Sequence, residues 1–121
     1  MTRNIKHGSI WLANLNPKKG TEPGKTRPVL ILQHQALLDA EHPSTLVVPL
    51  TTNLVKDAEP LRLRIKARGR LAKDSDMLVD QIRAIDNRRL TEGPLMQVDE
   101  ETLKRLYLAV IEVIGMNLDD L

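Results

Sequence analysis

An arginine where a loop enters one apolar run, and two hydroxyls where a second run ends, are the residues of this chain best suited to chemistry. Arg27 follows the Gly- and Pro-punctuated segment Gly20-Thr21-Glu22-Pro23-Gly24-Lys25-Thr26 and precedes Pro28-Val29-Leu30-Ile31-Leu32. Thr51 and Thr52 close Val47-Val48-Pro49-Leu50. A guanidinium is a planar fork of donors and a hydroxyl both donates and accepts, a combination that suits a phosphate. Lys18, Lys19 and Lys25 beside Arg27 add positive charge that attracts an RNA backbone or an acidic polypeptide.

Each of these residues has a structural role to set against the chemical one. Arg27 is read either as a surface ion pair with Glu22 that orders the loop, or as a donor to a non-bridging phosphate oxygen, and a Glu22 partner would serve both. Since a guanidinium does not readily lose its proton, electrostatic stabilisation suits it better than acid–base work. Thr51 either ends a strand by bonding to backbone or hydrogen-bonds a phosphate; at an ordinary pKa it is a poor base. Asp80 is a base only if its strand aims it at the groove, and is otherwise a structural carboxylate held by nearby backbone groups. Gln81 and Arg83, two apart, are expected on one strand face towards RNA, although pairing with Glu59 or Asp57 accounts for Arg83 equally well. His7, His34 and His42 are too scattered for a metal cluster and no carboxylate pair is spaced for metal-assisted hydrolysis, so neither metal nor cofactor is expected.

The elements that must position these residues follow from periodicity. Residues 9–15 alternate as a strand stopped by Asn16-Pro17, and 16–26 form a loop. Val29 to Gln33 is a short apolar strand with Pro28 at its start or on an edge, residues 35–40 make a helical turn or two, and Thr45 to Leu50 is a strand in which Pro49 demands an edge, bulge or end. Leu61, Leu63 and Ile65 alternate with arginines and lysine in a half-buried strand; the arginines of 62–70 read as its solvated face. Residues 75–85 are expected as one strand with a bulge near Leu78-Val79, 86–91 as a helical connector, and 94–98 as a small strand. Asp99 caps a final helix whose stripe is Leu103, Leu106, Tyr107, Val110, Val113 and Ile114, ended by Gly115.

At 121 residues with a formal charge of +2, the chain is one domain (1–121) without the globally basic surface of a non-specific duplex binder. Trp11 and Tyr107 are the only aromatics, which excludes a surface that stacks many bases, and Trp11 is expected in the core. The absence of cysteine is compatible with a reducing cytosol. No apolar run approaches the roughly 18 residues of a membrane span, so a cytoplasmic protein without a membrane partner is expected.

The ordered set Gly8-Ser9-Ile10-Trp11, Leu15-Asn16-Pro17, Gly20-Thr21-Glu22-Pro23-Gly24, Arg27-Pro28-Val29-Leu30-Ile31, Val48-Pro49-Leu50-Thr51-Thr52, Asp80-Gln81-Ile82-Arg83-Ala84-Ile85-Asp86 and Arg89-Leu90 resembles the MazF/PemK toxin family. The resemblance covers nearly the whole chain. It implies a mainly β fold with added helices, a small SH3-like β-barrel with a C-terminal helix, acting as a homodimer. It also implies a metal-independent mRNA interferase that cuts single-stranded RNA through the substrate's 2′-hydroxyl, leaving 2′,3′-cyclic phosphate and 5′-hydroxyl ends. The partner implied is a cognate antitoxin with an acidic, apolar C-terminal tail. The family's catalytic pair falls on Arg27 and Thr51, with Glu22 and Asp80 as further catalytic or orienting candidates, and RNA contacts are expected from Asn16, Lys18, Lys19, Lys25, Thr52, Gln81 and Arg83. Where some branches carry a histidine and a second arginine, this chain has Thr21 and Leu78. A non-catalytic nucleic-acid or protein-binding module and a gyrase-directed toxin share the implied fold and stand as alternatives.

Overall fold

Apolar runs with no alternation, such as Val29-Leu30-Ile31, need cover on both faces, and the fold supplies it. The computed structural model describes residues 3–22 and 24–120; Pro23 of the loop motif lies outside the described residues. β1 (Ser9–Asn14), β2 (Thr26–Ile31) and β3 (Ser44–Thr51) form an antiparallel centre, flanked by β4 (Arg62–Ile65) and β5 (Ser75–Leu78) on one side and by β7 (Leu90–Gln97) on the other. β6 (Arg83–Asp86) also pairs with β3. α1 (Gln35–Asp39) and α2 (Glu100–Val113) complete the chain.

Ile10, Leu30 and Val48 face a core shared with Met77, Leu103 and Leu106, whereas Trp11, Val29 and Val47 face a second core with Ile85, Leu90 and the partly buried Leu38 of α1. Both faces of the central strands are therefore shut from water, which accounts for their unbroken hydrophobicity. Trp11 is buried as expected.

The sheet is not closed into a barrel, which corrects the expected SH3-like β-barrel. Strand order runs β4-β5-β3-β2-β1-β7, and the terminal strands β4 and β7 do not pair with each other. β4 is only four residues long, and the segment after it reaches β7 through a single backbone bond, Arg70 N–H to Leu95 O at 2.7 Å. α2 instead covers the face left open, burying Leu103, Leu106 and Ala109. The expected stripe is narrower than its pattern: Tyr107 and Ile114 are exposed, and the Tyr107 hydroxyl meets His7 Nε2. Asp99 accepts from Thr102 N–H at 2.7 Å, and Gly115 terminates the helix with φ +75°.

Residues 75–85 are two strands, not one bulged strand. Six residues separate Met77 from Arg83, but only three separate their β3 partners, Leu50 and Val47. A 3-10 turn at Val79–Gln81 absorbs the excess. Pro49 falls between these two pairings, where that side of β3 has no ladder partner, and Pro28 lies inside β2 in the stretch paired only with β1. Both prolines thus occupy positions that need no second partner. β7 begins four residues earlier than the expected strand at 94–98, since its first half pairs with Leu12 and Ala13 of β1.

Candidate functional site

Arg27 is the second residue of β2, opposite Ala13 of β1 and two residues before β3 begins to pair at Val29↔Pro49. This divergence of β2 from the end of β3 opens a hollow of about 320 Å³ lined by Lys25, Arg27, Leu50, Thr51, Thr52 and Asn53 among others. A second hollow, about 380 Å³, lies on the other side of Arg27 and is lined by Asn16, Lys18, Thr21, Glu22, Gly24, Lys25 and Leu78. Arg27 and Lys25 border both.

The guanidinium is anchored from two directions. Its Nε donates to Gly24 O at 2.9 Å, and its Nη1 donates to Leu50 O at 3.3 Å. It therefore ties the loop before β2 to the residue preceding Thr51, while its Nη2 donates to none of the described residues. Half-burial lowers the Arg27 pKa by desolvation, but a guanidinium starts high enough to remain charged. At the end of β3, Asn53 N–H donates to Thr51 Oγ1 at 3.1 Å. One of the oxygen's two acceptor sites is thereby occupied locally, and the O–H proton is left to donate elsewhere.

The loop ahead of Arg27 is closed by one backbone–backbone bond and by side chains that bond its backbone. Leu15 N–H donates to Lys25 O at 2.9 Å, Lys25 N–H to Asn16 Oδ1 at 2.7 Å, and Arg89 Nη1 to the carbonyls of Asn14 and Asn16. Gly24 packs against Lys18 so closely that a Cβ would lie 2.6 Å from Lys18 Cβ, so a side chain there would displace the carbonyl that holds Arg27. Lys18, Lys19 and Lys25 stand exposed around this rim.

Several expected positions are corrected. Glu22 does not pair with Arg27; it lies 3.8 Å from Arg83 Nη1, whose partner was expected in Glu59 or Asp57. Glu59 instead meets Arg105 at 2.8 Å. Asp80 is exposed on the 3-10 turn and lines neither hollow, because the turn replaces the strand that was to aim it. Gln81 is on that turn and Arg83 begins β6, so the two share no strand face. Arg62 and Arg64 are not simply a solvated face: both bond the buried Asp76, a carboxylate that sequence reasoning passed over. The available signal was Asp76 itself, an acid directly before the apolar run Met77-Leu78-Val79 and downstream of alternating arginines. Among the described residues no group of three or more His, Cys, Asp or Glu is gathered where it could hold a metal ion. His34 caps α1 by accepting from Ala36 N–H. No helix among the described residues is long and apolar enough to cross a membrane.

An open antiparallel sheet covered by a C-terminal helix, with an arginine–threonine hollow suited to a phosphate beside a lysine rim, defines a small mainly β domain with a candidate phosphate-binding site. The chain belongs to the PemK-like, MazF-like toxin family of type II toxin–antitoxin systems, whose model matches residues 6–114. It is 33% identical over 103 residues to Endoribonuclease EndoA of Bacillus subtilis (strain 168), covering 84% of this chain and 87% of that protein. Its fold is similar to the crystal structure of MazF from Deinococcus radiodurans, with a TM-score of 0.76 at 21% identity, covering 93% of this chain and 97% of that one. A chain in a MazE-MazF crystal structure from the same organism matches with a TM-score of 0.71 at 22% identity, covering 93% and 97%.

Proposed function

We propose that this chain is an endoribonuclease toxin that cuts single-stranded RNA by attack of the substrate's own 2′-hydroxyl, without a metal ion. The observation that carries the reading is the tethering of Arg27 to both Gly24 O and Leu50 O at a hollow that Thr51 also lines. The similarity to Endoribonuclease EndoA of Bacillus subtilis supports the same class.

In this reading the 2′-oxygen attacks phosphorus, the bond to the 5′-oxygen breaks, and negative charge accumulates on the non-bridging oxygens. Arg27 donates to one of them, and the Thr51 O–H donates to the phosphate or aligns the nucleophile. Glu22, which lines the second hollow bordered by Arg27, is assigned the 2′-hydroxyl proton in preference to Asp80, which lines neither hollow, so the scissile phosphate is placed at Arg27 between the two. The departing 5′-oxygen takes a proton from water and Glu22 returns its own to solvent, leaving 5′-hydroxyl and 2′,3′-cyclic phosphate ends. Lys18, Lys19, Lys25, Asn16 and Thr52 line or rim the path of the strand. Arg83 flanks it through its contact with Glu22.

The same lysine rim suits the acidic, apolar tail of an antitoxin competing with RNA, and the MazE-MazF relative supports such a partner. The exposed run Tyr107, Leu108 and Ile114 of α2 supports a homodimer whose second copy covers it. The site of action is the cytoplasm, where mRNA is found. The test is incubation of the purified chain with long single-stranded RNA in EDTA. Discrete fragments with 5′-hydroxyl ends are expected; intact RNA across varied sequences would refute the proposal.

A further inference from the structure

Asp76 is the single carboxylate buried among the described residues, 1% exposed, and the chemistry at Arg27 does not use it. It stands opposite Thr51 in the β3–β5 ladder. Its Oδ1 accepts from Arg64 Nε at 2.6 Å, and its Oδ2 accepts from Val55 N–H at 2.9 Å and from Arg62 Nη1 at 3.5 Å. The arginines then reach onward to the same segment: Arg62 Nη1 donates to Asn53 O at 2.8 Å and Arg64 Nη2 to Val55 O at 3.2 Å. Asn53 O, Val55 N–H and Val55 O are thus all held by one ionic knot.

The segment so held has no regular secondary structure between β3 and β4, and its first residues border the Arg27 hollow. Leu54 and Val55 are exposed, so apolar burial does little to hold it. Asn53 N–H is taken by Thr51 and Asn53 O by Arg62, while its carboxamide bonds to none of the described residues. A carboxamide with both roles open on the wall of a phosphate-binding hollow can read a base edge, but only if its backbone is held still. An ion triad in which a buried carboxylate meets two arginines that reach solvent contributes modestly to net stability; what it supplies is geometry.

We propose that Asp76, acting through Arg62 and Arg64, is a positioning residue that fixes segment 52–61 against the Arg27 hollow and thereby sets which RNA sequence is accepted. This rests on the endoribonuclease reading above. Asp76 touches neither the phosphate nor the nucleophile, so its loss loosens recognition and leaves the chemical step largely intact.

The test compares the full chain with Asp76→Asn and Arg62→Gln. In the RNA-free protein, hydrogen exchange at the Val55 amide is expected to accelerate at least tenfold in Asp76→Asn, with Val47 and Val48 unchanged. On a randomised single-stranded RNA pool, both variants are expected to raise KM about tenfold with kcat within threefold, and to cut a broader set of sequences. Arg62→Gln leaves Asp76 its bonds to Arg64 and Val55 and supplies the same kinetic and sequence readouts should Asp76→Asn not fold. Unchanged cut sites and KM in a folded variant, or a fall in kcat at constant KM, would overturn the proposal. If the native chain cuts no RNA, the endoribonuclease reading itself fails; a native chain that cuts, beside variants that keep its sequence preference, overturns the positioning role alone.

Discussion

Replacing Arg27 with alanine separates the chemical role of the guanidinium from its structural one, because the two have different magnitudes. Structurally, Arg27→Ala removes two bonds to backbone carbonyls, from Nε to Gly24 O and from Nη1 to Leu50 O. Each contributes about 1 kcal/mol at a half-buried position, so stability falls by about 2 kcal/mol and the protein remains folded. Chemically, loss of one donor to transition-state charge costs about 3–4 kcal/mol, a fall in rate of roughly 100- to 1000-fold. Arg27→Lys retains charge, but a single ammonium cannot span both carbonyls and still present a fork, so it is expected to recover less than about tenfold of the loss. The assay is single-turnover cleavage of a fluorophore-labelled RNA at saturating protein, with urea denaturation run in parallel. A folded Arg27→Ala protein that cleaves within tenfold of the native rate would refute the assignment.

Thr51→Ala is expected to lower cleavage by tenfold or more, because it removes both the free O–H and the acceptor for Asn53 N–H, whereas the exposed Thr52→Ala changes the rate by less than about threefold; cleavage rates in the reverse order would place the functional hydroxyl one residue on. Burial alone would raise the Asp76 pKa, but the bonds from Arg64 and Val55 N–H, with the Arg64 charge, hold it below its ordinary value. Its stabilisation is therefore complete above the unfolded carboxyl pKa of about 3.9 and lost as pH falls through the lower folded value. Urea midpoints of native protein and Asp76→Asn should differ by a constant amount from pH 5 to 7 and converge below pH 4; a gap that widens in acid would contradict this. Ile114, 65% exposed on α2, is expected to lie under the second copy of a homodimer, so Ile114→Asp should shift sedimentation towards a mass of 13.6 kDa without lowering the thermal midpoint of the monomer. A native chain sedimenting at that mass at every concentration would exclude the dimer.

The positions of the elements were largely legible in the sequence, because each depends on local periodicity. The alternation of residues 9–14, the apolar runs before Leu32 and Leu50, and the Asp99 cap with Gly115 at the other end of α2 locate four elements without reference to one another. The residue types suited to a phosphate, Arg27 and Thr51, were equally legible. The division of residues 75–85 into β5 and β6 was not: the break is a mismatch in spacing against β3, which exists only once both pair with that strand. Openness of the sheet was likewise invisible, since it turns on whether β4 and β7 pair, two elements some 25 residues apart in sequence.

The sequence by itself determined which residues are charged, where the apolar runs lie and which loop precedes Arg27; these are properties of neighbours along the chain. Tertiary structure alone decided the partners. Arg27 turned from Glu22 to Gly24 O and Leu50 O, Glu22 turned to Arg83, and the arginines read as solvated converged on Asp76. The reason is physical: a charge has many possible partners in a sequence of this composition, and its choice depends on separations of a few ångströms that the packing of two cores sets, and on burial that makes a carboxylate such as Asp76 costly until such partners reach it.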